Sequence, residues 1–132
     1  MIKFAHTIVL VKDIEVSKRF YRDLLGQEIE KDCGAFVLFK SLFALHEAKP
    51  LCRTIYGTNE FDAAAGTEQG SRNLLIYFET KDPDACCQRL AEAGVEIIHG
   101  VKKQEWGQRV FRFYDPDRHM VEIGEAMDLR FD

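Results

Sequence analysis

Residues 3–26 read KFAHTIVLVKDIEVSKRFYRDLLG, and the same pattern returns at residues 73–94, which read NLLIYFETKDPDACCQRLAEAG. Each stretch opens with a run of β-branched and aromatic residues, which is typical of a buried strand. An aspartate follows as the cap of a helix, and a glycine ends that helix. The capping and closing residues recur 69 and 68 positions apart: Asp13 and Asp82, then Gly26 and Gly94.

Three short strands are predicted after each helix. The sequence therefore predicts an α+β fold of two βαβββ modules within a single domain, with module one at 1–48, a linker loop at 49–72 and module two at 73–126. The alternative is an α+β domain in which the order of elements recurs by chance. The opening strands are Lys3–Val11 and Asn73–Thr80, and the later ones are Gln27–Lys31, Ala35–Lys40, Phe43–Glu47, Val95–Val101, Arg109–Tyr114 and His119–Glu125.

The segment from Ala48 to Arg72 has no sustained period and contains Pro50 and three glycines. A connection of this length in a compact domain is usually functional or mobile. Phe61–Ala65 is the one part of it for which a single helical turn is predicted.

The composition is that of an ordinary globular protein. The chain has 132 residues, 46% hydrophobic and 30% charged, with a net charge of −4 and no basic stripe, so neither nucleic acid nor a membrane is the expected partner. No apolar run approaches the ~20 residues of a membrane-spanning helix, and the start lacks the pattern of a signal peptide. The expected location is the cytoplasm. Four cysteines form no C-x-x-C pair and are interpreted as small core residues.

Three stretches resemble one family of proteins. They are HTIVLVKD with FYRDLLG (6–26), YFETKDPDA with LAEAGV (77–95), and FYDPDRHMVEI (113–123). In this order and spacing they resemble the vicinal-oxygen-chelate superfamily, which includes glyoxalase I, extradiol dioxygenases, fosfomycin-modifying enzymes and bleomycin-binding proteins. The resemblance implies a glyoxalase-like fold, in which a curved, cup-shaped mixed sheet with helices packed outside holds a small-molecule ligand. It also implies a homodimer.

The resemblance implies a metal site that this sequence fills only in part. His6 matches the family's first-strand histidine, and Glu122 matches its last-strand glutamate. The second-module histidine falls on Asn73 or Leu75, and neither side chain is a good ligand for a transition metal.

The first-module carboxylate position falls on Ala44. His46 lies on the same strand face and Glu47 on the other, and either of them serves at this position only through a shifted register. The metal ligands predicted from these positions are His6, His46 and Glu122, and such a set suits Zn, Ni, Co, Mn or Fe. The alternative is a site that holds no metal.

Each candidate ligand also has a purely structural interpretation. His6 can be a core histidine, and Glu122 can be held by a salt bridge to Arg109 or Arg112, because a buried carboxylate is costly unless it is paired. His99 and His119 near strand ends are expected to be solvated. Arg118 stands where relatives usually have glycine, and it is strained if the turn needs a positive φ.

The recognition surface is predicted around the only tryptophan. Trp106 is either an aromatic lid that stacks on a planar ligand or a contact with a neighbouring subunit or sheet edge. Arg109 either holds a carboxylate or phosphate or pairs with Glu122. Tyr77 is expected to line an apolar or aromatic site, and Asn73 and Glu47 complete the predicted substrate-binding set.

Three functions follow from these residues. The first is a metal-dependent lyase, isomerase or dioxygenase-like enzyme, in which Glu122 or Glu47 transfers a proton and Glu122 is the predicted catalytic residue. The second is a non-catalytic protein that sequesters an antibiotic or another toxic small molecule. The third is a sensory or scaffold module in which the site is vestigial.

Overall fold

A computed structural model describes residues 1–127 of the chain. These residues form two compact units that divide between Gln69 and Gly70, and each unit contains one four-stranded mixed sheet. No helix within residues 1–127 is both long and apolar enough to cross a membrane.

The first unit has strand order β1-β4-β3-β2, in which β1 runs parallel to β4 and the remaining pairs are antiparallel. Helix α1 begins after Asp13, whose carboxylate accepts hydrogen bonds from the backbone N–H groups of Glu15 and Val16 at 3.0 and 3.3 Å. It continues into one wider π-helical turn. The elements are β1 (Thr7–Val11), α1 (Ile14–Arg19), the π turn (Phe20–Leu24), β2 (Ile29–Asp32), β3 (Phe36–Phe39), β4 (Phe43–Glu47), α2 (Ala48–Tyr56) and α3 (Asp62–Ala65).

The second unit repeats this topology with strand order β5-β8-β7-β6. Asp82 caps its helix by accepting a hydrogen bond from Ala85 N at 3.1 Å, and Pro83 occupies the first helical position, where a missing N–H needs no partner. Its elements are β5 (Leu75–Glu79), α4 (Pro83–Glu92), β6 (Ile97–Lys103), β7 (Arg109–Tyr114) and β8 (Met120–Gly124).

Alternate residues of the strands form the core of each unit, because successive side chains of a strand point to opposite faces. In the first unit the buried side chains are Val9, Val11, Val37, Phe39 and Leu45, with Tyr21 from the π turn among them. In the second unit they are Phe111, Phe113, Val121 and Ile123, with Leu90 of α4. The α+β class and the two βαβββ modules predicted from the sequence are confirmed.

The first strand and one cysteine are among the places where the structure differs from the sequence analysis. β1 begins at Thr7 rather than Lys3, because its partner β4 begins at Phe43 and the ladder therefore starts at the pair Thr7–Phe43. Cys33 is exposed and is not a core residue, since it lies in the turn between β2 and β3.

The connection after β4 is more regular than its sequence indicates. α2 tolerates Pro50 because the proline lies in the first turn, where backbone N–H groups have no partner within the helix, and Gly57 ends the helix with φ 70°. The single turn predicted near Phe61–Ala65 is confirmed as α3. An ion pair between Arg53 and Asp62 joins the two helices.

Candidate functional site

Four polar side chains are aligned across the sheet of the second unit, on the face that points away from α4. The strand register places Tyr77 of β5 beside Glu122 of β8, Glu122 beside Arg112 of β7, and Arg112 beside His99 of β6. We call these four residues the polar row. The residues that flank them along β7 and β8 point to the opposite face and are buried there.

An ion pair lies at the centre of the polar row. Arg112 Nε donates a hydrogen bond to Glu122 Oε1 at 2.7 Å, and the Glu122 side chain is only 9% exposed. Of the two partners that the sequence offers for Glu122, the structure therefore selects Arg112. Arg109 instead pairs with Asp84 of α4 at 2.6 Å, which places its guanidinium on the helix side of the sheet.

The other two nitrogens of the Arg112 guanidinium are also engaged. Arg112 Nη2 donates to Gln104 Oε1 at 3.3 Å, and Arg112 Nη1 lies 2.9 Å from His99 Nε2. His99 Nδ1 lies 2.8 Å from the carbonyl oxygen of Gly100, which can only accept. We therefore assign the proton of the neutral ring to Nδ1, so that Nε2 accepts from the guanidinium.

A second group of hydrogen bonds centres on the buried side chain of Gln108. Its Nε2 donates to the Tyr77 hydroxyl and to the Glu125 carbonyl oxygen, both at 2.8 Å, and its Oε1 accepts from Trp106 Nε1 at 2.9 Å. A Cβ at Gly124 would lie only 2.5 Å from Gln108 Nε2. The Gln108 amide therefore fits at this position only because residue 124 has no side chain. We call Trp106 and Tyr77, which the Gln108 amide joins, the amide-linked aromatic pair.

The Tyr77 hydroxyl completes this network by donating to Glu79 Oε2 at 2.8 Å. Burial raises the pKa of Tyr77 above its ordinary value, and the hydrogen bond to the Glu79 carboxylate raises it further. The hydroxyl therefore remains protonated near neutral pH. Trp106 and Tyr77 are 58% and 42% exposed, so both aromatic rings are accessible although their polar atoms are held in place.

The corresponding sheet face of the first unit is mostly apolar. The centroid of the Phe36 ring lies 6.1 Å from that of His6 and 6.0 Å from that of His46. His46 Nδ1 donates to the Glu47 carbonyl oxygen at 2.9 Å. The Glu47 carboxylate accepts from Ile14 N at 3.3 Å and thereby caps the start of α1.

Strand register in each unit identifies the residues that correspond to one another. On this face Ala44 pairs with Ile8 in the first unit, as Glu122 pairs with Tyr77 in the second. His6 precedes Ile8 by two residues, and Leu75 precedes Tyr77 by two. Leu75 rather than Asn73 thus stands in the position of the second histidine. The Asn73 amide oxygen accepts from Ser71 Oγ at 2.7 Å, and the residue lies before β5 begins.

The donor set of the polar row does not fit a divalent metal ion. Glu122 is the only carboxylate of the row, and it faces the fixed positive charge of Arg112, which repels a cation. The register position of the second histidine carries an aliphatic side chain. Within residues 1–127, no three His, Cys, Asp or Glu side chains are arranged so that they could hold a metal ion.

Sequence reasoning missed Gln104 and Gln108 of these networks, and it named Arg112 only as one of two salt-bridge partners for Glu122. Arg112 lies between Phe111 and Phe113, and this alternation is a signal that its side chain leaves the core. Gln104 and Gln108 give no comparable signal. The expectation that His119 is solvated is wrong, because His119 is 6% exposed and its Nδ1 donates to the buried Asp115 carboxylate at 2.9 Å.

Comparison with known proteins agrees with this fold. A crystal structure of a protein of unknown function from Agrobacterium tumefaciens str. C58 matches with a TM-score of 0.86 and 48% sequence identity, over 96% of each chain. A glyoxalase/bleomycin resistance protein/dioxygenase from Nocardioides matches with a TM-score of 0.72 and 22% identity, over 98% of this chain and 87% of that one. At that identity the likeness shows the fold alone.

Two sequence comparisons agree with this result. The uncharacterized protein YraH of Bacillus subtilis (strain 168) is 28% identical over an alignment of 121 positions, which covers 87% of this chain and 91% of that protein. The family model for the glyoxalase-like domain matches residues 4–128. The chain therefore belongs to the glyoxalase-like domain family, within the glyoxalase, bleomycin-resistance and dioxygenase superfamily that its sequence resembles.

Proposed function

We propose that this protein binds a planar organic molecule on the polar-row face of its second unit, and that it does so without a metal ion. The observation that carries the proposal is the 2.7 Å ion pair between Arg112 and Glu122, which lies where metal-using relatives are expected to place a ligand carboxylate. Arg112 supplies a fixed positive charge there, so the site needs no cation to balance Glu122.

The amide-linked aromatic pair supports a planar ligand. Trp106 and Tyr77 each bond Gln108 through their polar atoms, so their rings are oriented before any ligand arrives. Pre-oriented rings lose little conformational entropy when they stack on a ligand. Aromatic stacking contributes about 0.5–1.5 kcal/mol beyond the buried area.

We propose a binding role for Glu122 rather than proton transfer. Arg112 Nε donates to Glu122 Oε1 at 2.7 Å, so one carboxylate oxygen is already engaged and the orientation of the carboxylate is fixed. Sequestration of an antibiotic or another toxic compound therefore fits this site better than lyase, isomerase or dioxygenase chemistry. We also propose that the protein acts in the cytoplasm as a homodimer, and light scattering after size-exclusion chromatography tests the dimer.

The fluorescence of Trp106 tests the binding proposal, because it is the only tryptophan of the chain. Planar antibiotics and aromatic acids are titrated in buffer that contains EDTA, and hits are checked by thermal shift, since a ligand of the folded state raises the melting temperature. We expect at least one saturable change in Trp106 emission.

Tyr77→Leu should weaken such a ligand about fivefold to tenfold, because it removes one stacking face. Tyr56→Leu is the matched control, since Tyr56 is similarly exposed but belongs to the first unit. The proposal is refuted if no compound binds, or if binding is lost in EDTA. It is also refuted if the two substitutions weaken binding equally.

A further inference from the structure

A pocket of about 310 Å³ lies beside the turn between β7 and β8. We call it the corner pocket, and its lining residues are Gly70, Ser71, Arg72, Tyr114 and Arg118. Two of these five residues carry guanidinium groups and none carries a carboxylate. A concave site with this lining favours an anion.

The walls of the corner pocket are joined by close backbone contacts. Gly70 N donates to the Asp117 carbonyl oxygen at 2.8 Å, and a Cβ at residue 70 would lie only 2.1 Å from the Arg118 carbonyl oxygen. Only glycine therefore permits this approach. The buried Asp115 carboxylate holds the turn itself by accepting from the backbone N–H groups of Asp117 and His119 at 2.8 and 2.9 Å.

Both arginines adopt a backbone conformation that side chains disfavour. Arg72 has φ 60° and Arg118 has φ 62°, which lie in the left-handed region where glycine is unstrained. The strain that the sequence predicts for Arg118 is thus present. Strained backbone tends to occur at functional sites, and here both strained arginines line one pocket.

The two guanidinium groups differ in how their charges are balanced. Arg118 Nη1 donates to both carboxylate oxygens of Glu96, at 2.6 and 2.9 Å, and the guanidinium carbon lies 4.1 Å from the centre of the Tyr114 ring. These contacts fix the orientation of Arg118. Arg72 is exposed and has no ion-pair partner within residues 1–127, so it supplies the positive charge that is available to a ligand.

We propose that the corner pocket binds the oxyanion group of a small organic molecule, either a carboxylate or a phosphate. Planar guanidinium groups bind both through paired N–H donors. The pocket borders the polar row, since Tyr114 follows Arg112 by two residues on the same face of β7. It uses none of the residues proposed to stack on a planar ligand, so the two proposals stand or fall separately.

The test is an NMR titration of backbone amides with inorganic phosphate and, separately, with benzoate, at constant ionic strength set by sodium chloride. We expect saturable shifts of the amides of residues 70–72, 114, 115, 117 and 118 with at least one anion. A response to phosphate alone assigns a phosphate group, and a response to benzoate alone assigns a carboxylate.

Arg72→Asn should weaken the binding about tenfold, because it removes one charge-assisted hydrogen-bond donor. Asparagine tolerates the left-handed region, and Arg72→Gly is a second variant that adopts it without strain. The control is Lys81→Asn, which removes an equal charge from an exposed residue beyond the other end of β5. Shifts that never saturate, or equal losses in Arg72→Asn and Lys81→Asn, would overturn the proposal.

Discussion

Replacement of Arg112 by methionine removes the guanidinium and keeps an unbranched side chain, so it leaves the Glu122 carboxylate in the sheet without its cation. In the wild type, Arg112 Nε donates to Glu122 Oε1 at 2.7 Å, and the same guanidinium also bonds Gln104. The substitution therefore removes hydrogen-bond donors as well as a charge.

The size of the effect follows from the burial of the two side chains. Loss of one partner from a fully buried ion pair costs about 3–5 kcal/mol, whereas exposed pairs contribute about 0–1 kcal/mol. Glu122 is 9% exposed and Arg112 is 25% exposed, so this pair lies between those limits. We expect Arg112→Met to lower the free energy of unfolding by about 2–3 kcal/mol.

The double variant Arg112→Met/Glu122→Met should recover most of that loss. Replacement of both members of a buried pair by apolar side chains is often nearly neutral, so its stability should lie within about 1 kcal/mol of the wild type. The control is Arg109→Met on the same strand, whose pair with Asp84 has side chains 43% and 60% exposed. It should cost no more than about 1 kcal/mol.

Urea unfolding followed by circular dichroism gives these free energies by linear extrapolation. The reasoning is refuted if Arg112→Met costs no more than Arg109→Met, or if the double variant is less stable than Arg112→Met alone. Either result would mean that Glu122 does not depend on Arg112 for its charge balance.

Two further predictions concern the amide-linked aromatic pair. Gly124→Ala should displace Gln108, because the new Cβ would lie 2.5 Å from its Nε2. We expect the free energy of unfolding, measured in urea, to fall by about 1–3 kcal/mol and the Trp106 emission to shift. A variant with wild-type stability and emission would contradict this prediction. The folded-state pKa of Tyr77 is raised above its ordinary value of 10.0, so its contribution to stability is complete below that pH and is lost as the pH rises through the folded-state pKa. Tyr77→Phe should therefore lose less stability than the wild type as the pH rises above about 10. Equal losses in urea unfolding would show that Tyr77 titrates normally.

The elements that local chemistry defines were predictable from the sequence. Asp13 and Asp82 cap helices within three residues of themselves, and the alternation of aromatic residues around Arg112 marks one strand face. The order of the strands followed from the repetition of these signals. The helix Ala48–Tyr56 was missed because a proline near the start of a helix resembles, in sequence, a proline in a loop.

The contacts of the site depend on residues that are distant in sequence. The sequence contains two arginines that could pair with Glu122, and only the register of β7 against β8 decides between them. The same pairing brings Gln108 over Gly124, 16 positions away, where the absence of a side chain leaves room for the amide. Register also shows that Leu75 takes the position of the second family histidine, a choice that the sequence alone left open.

The metal content of the protein tests the central claim most directly. Wild type and Glu122→Gln are incubated with Zn, Ni, Co, Mn or Fe, separated from free ions by gel filtration, and measured by plasma mass spectrometry. Because Arg112 already balances the Glu122 charge, we predict that neither protein retains a stoichiometric ion. Retention of nearly one ion per chain by the wild type, and its loss in Glu122→Gln, would contradict metal-free binding at the polar row.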